Sequence, residues 1–173
     1  MVAVGLYMRE ANAMKNVKPT MDEPRDEPRG PIYSPRLLTR SQRTAADLIV
    51  SLSTDAGISP EFMLALAVTE SSLNPQSVGD EWLSFGLFQL NSKFIHASRE
   101  ELLDARFNTE AALEKMRLLL RSYPGYTYGD YAEAWTLGGA GRFKKNRRNP
   151  RKWETMQKAI DDLSLTLTLT EKP

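Results

Sequence analysis

The chain of 173 residues has no cysteine and a single histidine, His96. The first absence excludes disulfides, thiolate metal sites and a cysteine nucleophile. The second leaves almost no room for a His-rich metal centre or a Ser-His-Asp triad, and His96, in "KFIHAS", reads as a surface or packing residue. An excess of charge of one sign is also missing: 23 Lys and Arg stand against 22 Asp and Glu, a net charge of +1, which gives no electrostatic case for a nucleic-acid partner. No segment approaches the roughly 20 apolar residues of a membrane span. The apolar start "MVAVGLYM" runs into Arg9 and Glu10 without a basic region before it, so the expectation is a chain made in the cytosol without a signal peptide. Chemistry is left to carboxylates, hydroxyls and amides, with no metal and no cofactor expected.

What is present is an apolar content of 41%, enough for a real core, and it is unevenly spread. Residues 1–38 hold the stretch "VKPTMDEPRDEPRGPIYSPR", with five of the ten prolines and a tandem "DEPR". Proline at that density removes backbone donors and blocks helix, so residues 1–38 read as an extended arm. The folded domain is expected over 39–162, followed by a strand or tail over 163–173. "LSLTLTLT" alternates strictly from Leu163 to Thr170, and such a lone strand must join a sheet or add to a neighbour's edge.

Between these ends the periodicity is helical. In "SQRTAADLIVSLSTDAG" Ala45, Leu48, Ile49 and Leu52 make one face, with Gly57 as the stop. "SPEFMLALAVTESS" offers Ser59 as N-cap, Pro60 in the first helical position and Glu61 in the first turn. It is apolar all round from Phe62 to Val68, which predicts the buried central helix. Glu70 falls in its last turn, against the negative end of the helix dipole, a placement that suits function better than structure. Asn74-Pro75 and Gly79-Asp80 are turn dipeptides, and "SFGLFQLNS" is too short to assign. "NTEAALEKMRLLLRSYPG" predicts a helix capped by Asn108 or Thr109, with a stripe of Leu113, Met116, Leu119 and Leu120, stopped at Pro124-Gly125. "TYGDYAEAWTLGG" and "PRKWETMQKAIDDL" predict two more. Tyr123, Tyr126, Tyr128 and Tyr131 read as packing and loop surface. The basic run "GRFKKNRRNPRK" reads as a solvated loop that could also attract an anionic polymer.

Breaking a glycosidic bond requires an acid that protonates the leaving oxygen. It also requires something to stabilise the oxocarbenium-like centre: a second carboxylate, a water with a base, or the sugar's own acetamide. An apolar, partly desolvated setting favours such an acid, and Glu70 follows "FMLALAVT". Amides and hydroxyls across a cleft would hold the sugar.

On these residues the chain resembles the soluble lytic transglycosylase and goose-type lysozyme family. Glu70-Ser71 match its catalytic "ES", Asn74-Pro75 the nearby "NP", and Gly86-Leu87-Phe88-Gln89 its "GLMQ" block. Ala134-Trp135-Thr136, with Gly138, Gly141, Arg142 and Phe143, look like its "AYN" and "GPGRV" motifs. The resemblance implies a mainly α, lysozyme-like domain with minimal β structure. It implies Glu70 as general acid and then base, and a substrate-binding set of Ser84, Phe88, Gln89, Asn91, Trp135 and Thr136. The substrate it implies is peptidoglycan, cut between N-acetylmuramic acid and N-acetylglucosamine. In the transglycosylases the cut closes a 1,6-anhydro ring through the sugar's 6-hydroxyl.

Three departures stand out. Thr136 replaces the asparagine of "AYN", "GGAGRF" replaces "GPGRV", and Ser84 stands where animal-type lysozymes have a second acid, which leaves Asp80 or Glu81 for that role if one is needed. The expectation is a transglycosylase or muramidase carried in a phage particle or machine and acting in the host envelope. Residues 1–38 and 163–170 would attach it to structural protein partners. The competing expectation is an inactive lysozyme-fold structural subunit of a tail or secretion complex.

Overall fold

The computed structural model of the chain describes residues 38–136, 153–156 and 158, all within the second of its two units, Pro31–Pro173. The expected arm before Leu38, the Gly138–Phe143 loop, the basic run up to Lys152 and the terminal strand lie outside the described residues.

The first helix begins at a cap that its apolar spacing did not reveal. Thr39 and Gln42 form a reciprocal capping box: the Thr39 hydroxyl accepts the Gln42 N–H at 3.2 Å and Gln42 Oε1 accepts the Thr39 N–H at 2.9 Å. Helix α1 then runs over Arg40–Asp55 and buries Ala45, Ala46, Ile49 and Ser53. Its end is a Schellman closure, with Gly57 at φ 66° donating to the Thr54 carbonyl and Ile58 donating to that of Ser53.

Helix α2, Pro60–Ser71, is capped by Ser59, whose hydroxyl accepts the Phe62 N–H at 3.2 Å. Every side chain from Phe62 to Val68 is buried, as a sequence apolar on all faces requires. Removing a leucine of this kind from water is worth about 2 kcal/mol, so the run from Phe62 to Val68 anchors the domain. It packs on α1, and Phe62 stacks on Tyr128 at 4.4 Å between ring centroids.

The segment after α2 is a small antiparallel sheet of three two-residue strands: β1 (Val78–Gly79), β2 (Ser84–Phe85) and β3 (Leu90–Asn91), in that order. Val78 pairs with Phe85 and Gly79 with Ser84, while Ser84 pairs with Asn91 and Phe85 with Leu90. Strands of two residues carry no readable period, which is why "SFGLFQLNS" resists assignment from sequence. Between β1 and β2 a single 3₁₀ turn, Asp80–Trp82, holds three successive side-chain-bearing residues at positive φ, 48°, 53° and 71°.

Helix α3, Arg99–Leu103, is capped by a Ser98–Glu101 box, and α4 follows at once over Ala105–Ser122. Here the expectation is corrected. The N-cap of α4 is Asp104, whose Oδ1 accepts the Phe107 N–H at 2.8 Å, and Asn108 and Thr109 lie buried inside the helix. The predicted stripe is otherwise present, with Leu113, Met116 and Leu119 buried and Leu120 half-buried. Helix α5, Tyr128–Thr136, starts where the Asp130 carboxylate accepts both the N–H and the hydroxyl of Thr127. Residues 153–156 are helical, and Met156 reaches the core beside half-buried Trp153. The result is the mainly helical, lysozyme-like domain with a small sheet that the motifs imply. Among the described residues no helix is long and apolar enough to cross a membrane.

Candidate active site

Glu70 lies half-buried one residue before the end of α2, where the buried helix meets the sheet. The chain leaves the helix through two left-handed residues, Ser72 at φ 53° and buried Leu73 at φ 61°. Two side chains fix this exit. Ser71 donates to its own helix at Ala67 O, 3.1 Å, and across to Leu87 O at 2.8 Å. From α1, Gln42 Nε2 donates to Ser72 O at 2.9 Å. The helix end that carries Glu70 is therefore held from both sides, by the capping residue Gln42 and by the Gly86–Gln89 block.

That block is built on Asn108. Its Oδ1 accepts the Phe88 N–H at 2.9 Å, and its Nδ2 donates to the carbonyls of Phe85 at 3.0 Å and Leu102 at 2.8 Å. Gly86, at φ 75°, passes so close that an added Cβ would overlap Asn108 Nδ2 and the Leu102 carbonyl. Both its left-handed backbone and the missing side chain are required here. Gln89, also left-handed at φ 46°, donates from Nε2 to Gly86 O at 3.0 Å and Ser77 O at 3.3 Å. Its Oε1 occupies the space that a Cβ on Gly79 would fill.

A second line of contacts runs from Lys115 through Trp135 to Phe88. Lys115, on α4, points its Nζ at the face of Trp135, 3.7 Å from the ring centroid and 3.5 Å from the Trp135 carbonyl oxygen. Burial pulls Lys115 down to about 8, while the Glu70 carboxylate acts in the opposite sense. Trp135 in turn lies tilted against Phe88, centroids 6.1 Å apart. Lys115, Trp135, Phe88 and Asn108 thus form one connected set drawn from α4, α5 and the block between β2 and β3.

Of the residues expected to bind substrate, Gln89 and Asn91 are half-buried and Thr136 is exposed. Phe88 and Trp135 are buried as packing between the block and α5. Ser84 is buried and gives its hydroxyl to Asp80 Oδ2 at 2.6 Å. Asn91 Oδ1 accepts the Lys93 N–H at 3.0 Å, and the Thr136 hydroxyl donates back to Ala132 O at 3.2 Å. Asp80 and Glu81 occupy the exposed 3₁₀ turn, next to Trp82, which is 64% exposed and lies under the Arg99 guanidinium. His96 is exposed, and among the described residues no three His, Cys, Asp or Glu side chains converge to hold a metal ion.

Sequence reasoning missed two residues. Lys115 was detectable as a lysine set on an apolar face, three residues after Ala112 and four before Leu119. Asn108 was misassigned, because Asn and Asp are both good caps and only the tertiary partner distinguishes them.

No curated protein and no solved structure matches the chain. Residues 47–158, which include every residue of this connected set, match the model of the Transglycosylase SLT domain. The chain belongs to this family, whose members are lytic transglycosylases acting on peptidoglycan.

Proposed function

We propose that the chain cleaves the β-1,4 bond between N-acetylmuramic acid and N-acetylglucosamine with Glu70 as its single acid and base. The observation that carries this is Glu70 itself, half-buried at the end of an otherwise apolar helix and tied through Ser71 to the Gly86–Gln89 block. In the forward step Glu70 gives its proton to the glycosidic oxygen as the C1–O bond breaks, and the sugar's acetamide supports the cationic C1. The Glu70 carboxylate then takes the proton of the 6-hydroxyl as O6 attacks C1. A 1,6-anhydro ring forms and Glu70 is restored. The absence of an acid at Ser84, and the exposure of Asp80 and Glu81 on a turn, favour this route over one with a second carboxylate.

The test is mass spectrometry of fragments released from purified peptidoglycan. The wild type should yield anhydro-muramyl products, and Glu70→Gln should lose at least about a thousandfold in rate with little change in melting temperature. Equal release by the two proteins would sink the mechanism, and reducing-end muramic acid would redirect it to hydrolysis. The competing reading, an inactive structural subunit, draws on Thr136, whose hydroxyl is turned onto its own helix where the family carries an amide. It predicts no release from either protein.

Composition supports a further part of the same proposal: residues 1–38 and 163–170 attach the enzyme to structural proteins of a phage particle or similar machine. Deleting 1–38 should spare release from purified cell wall while abolishing co-purification with the particle. Lost release with attachment intact would count against this division.

A further inference from the structure

We propose that Trp82 is a substrate-binding residue: the open face of its indole is a platform for one pyranose ring of the glycan strand, away from the bond that is cut. The role rests on peptidoglycan being the substrate, and it does not depend on which residue supplies the proton.

The turn between β1 and β2 holds its shape at a cost. Asp80, Glu81 and Trp82 all stand at positive φ, where a side chain crowds its own backbone, and tryptophan is among the bulkiest residues to be placed there. Backbone of this kind persists only where its surroundings fix it, and it gathers at ligand-binding places. Here the Leu83 N–H donates to the carbonyls of Gly79 and Asp80, both at 3.1 Å, and the Ser84 hydroxyl donates to Asp80 Oδ2 at 2.6 Å. The turn gains no burial in return, since Trp82 stays 64% exposed. It gains a fixed direction for the indole. The Arg99 guanidinium, at the start of α3, lies over the ring, 4.9 Å from its centroid. The same guanidinium is 5.9 Å from the ring centroid of buried Phe85, which ties it to the core. With one face of the indole taken by Arg99, the other face and the edge are what solvent reaches.

The position of the turn favours one ligand. Antiparallel pairing sets Ser84 against Asn91, and the Ser92 N–H donates to the Leu83 carbonyl at 2.8 Å. The chain before Leu83 and the chain after Ser92 therefore leave the sheet at the same end. Trp82 and Phe94, two of the three exposed large apolar residues among those described, both belong to that end. Only four residues separate Trp82 from Gly86, a span of at most about 14 Å. The Gly86–Gln89 block is in turn bonded to the helix end that carries Glu70, through Ser71 and the Leu87 carbonyl. A glycan polymer cut at this site extends past the broken bond, and a rigid aromatic face suits the C–H face of a sugar ring. The guanidinium beside it suits the carboxylates of the peptide stems, which it can meet with two parallel donors. A stable protein partner would need a wider apolar patch than one indole and one phenyl ring.

The test reads binding, so its outcome is the same whichever residue supplies the proton. Soluble, uncrosslinked strands of purified peptidoglycan are titrated by calorimetry into Glu70→Gln, which keeps the strands intact, and into the same protein carrying a change at Trp82. Trp82→Ala should weaken binding at least about tenfold, as truncation of an aromatic anchor does. Trp82→Phe should keep most of the affinity, and both should melt with the parent, because the side chain lost is an exposed one. Affinity unchanged in Trp82→Ala overturns the platform and leaves the exposed ring to a protein partner. A Trp82→Phe protein that binds no better than Trp82→Ala overturns stacking as the cause. Strands that bind neither the parent nor the wild type overturn the substrate reading and the platform with it.

Discussion

Helix α2 and the segment from Ser77 to Asn91 lie side by side in the sequence and carry the two halves of the site, yet they are held by opposite means. The helix is fixed by apolar burial, a non-directional force spread over the seven residues from Phe62 to Val68. The segment has three strands of two residues, four left-handed side-chain-bearing positions and little periodic structure. What fixes it is a few directed hydrogen bonds from Ser71, Gln89 and above all Asn108. Distributed burial tolerates damage in any one place, because the remaining contacts still define the same position. Directed bonds do not, because each one sets a particular backbone group.

The comparison can be broken by two substitutions of different kinds. Leu66→Ala in the fully buried part of α2 should have the larger effect on stability, about 4 kcal/mol lost in denaturant unfolding, from the missing side chain and the cavity left behind. At a temperature where the variant remains folded, its rate of fragment release should stay within a few-fold of wild type. Asn108→Ala should lose less stability, about 3 kcal/mol, as the Phe88 N–H and the Phe85 and Leu102 carbonyls are left unpaired. Its release rate should nonetheless fall far more, because the block that positions Glu70 through Leu87 is no longer anchored. If both variants lost activity only in proportion to stability, the distinction between the two regions would be wrong.

The same contrast explains how much could be read in advance. Helix ends were legible because their signals are local: Ser59 with Pro60, Gly57, and Pro124 with Gly125 each act within one turn of the chain. So was the apolar stripe of α4. Glu70 and the Gly86–Gln89 block could be proposed from motif resemblance, though not their geometry. What was hidden depends on residues distant in sequence. Asn108 bonds to a carbonyl 23 residues earlier, and nothing within its own turn separates that role from capping, which Asp104 performs instead. Lys115 looks like an ordinary helix lysine until the indole of Trp135 lies under its ammonium. Ser84 turned inward in a strand of two residues and Phe88 in the turn after it, choices that such short elements do not announce.

The clamp at Asn108 also dictates an order of events. Two of its three bonds reach back across 20 and 23 residues, and neither can form until α4 lies against the Phe85–Phe88 stretch. Contacts of that span become favourable only after the intervening loop has been closed. The shape of the Gly86–Gln89 block therefore depends on a helix that lies after it in the chain. On the ribosome, a nascent chain that has not yet exposed residue 108 already contains Glu70 and all of α2, but not the clamp that shapes the neighbouring block. The candidate site is completed from behind, by a residue 38 positions after Glu70.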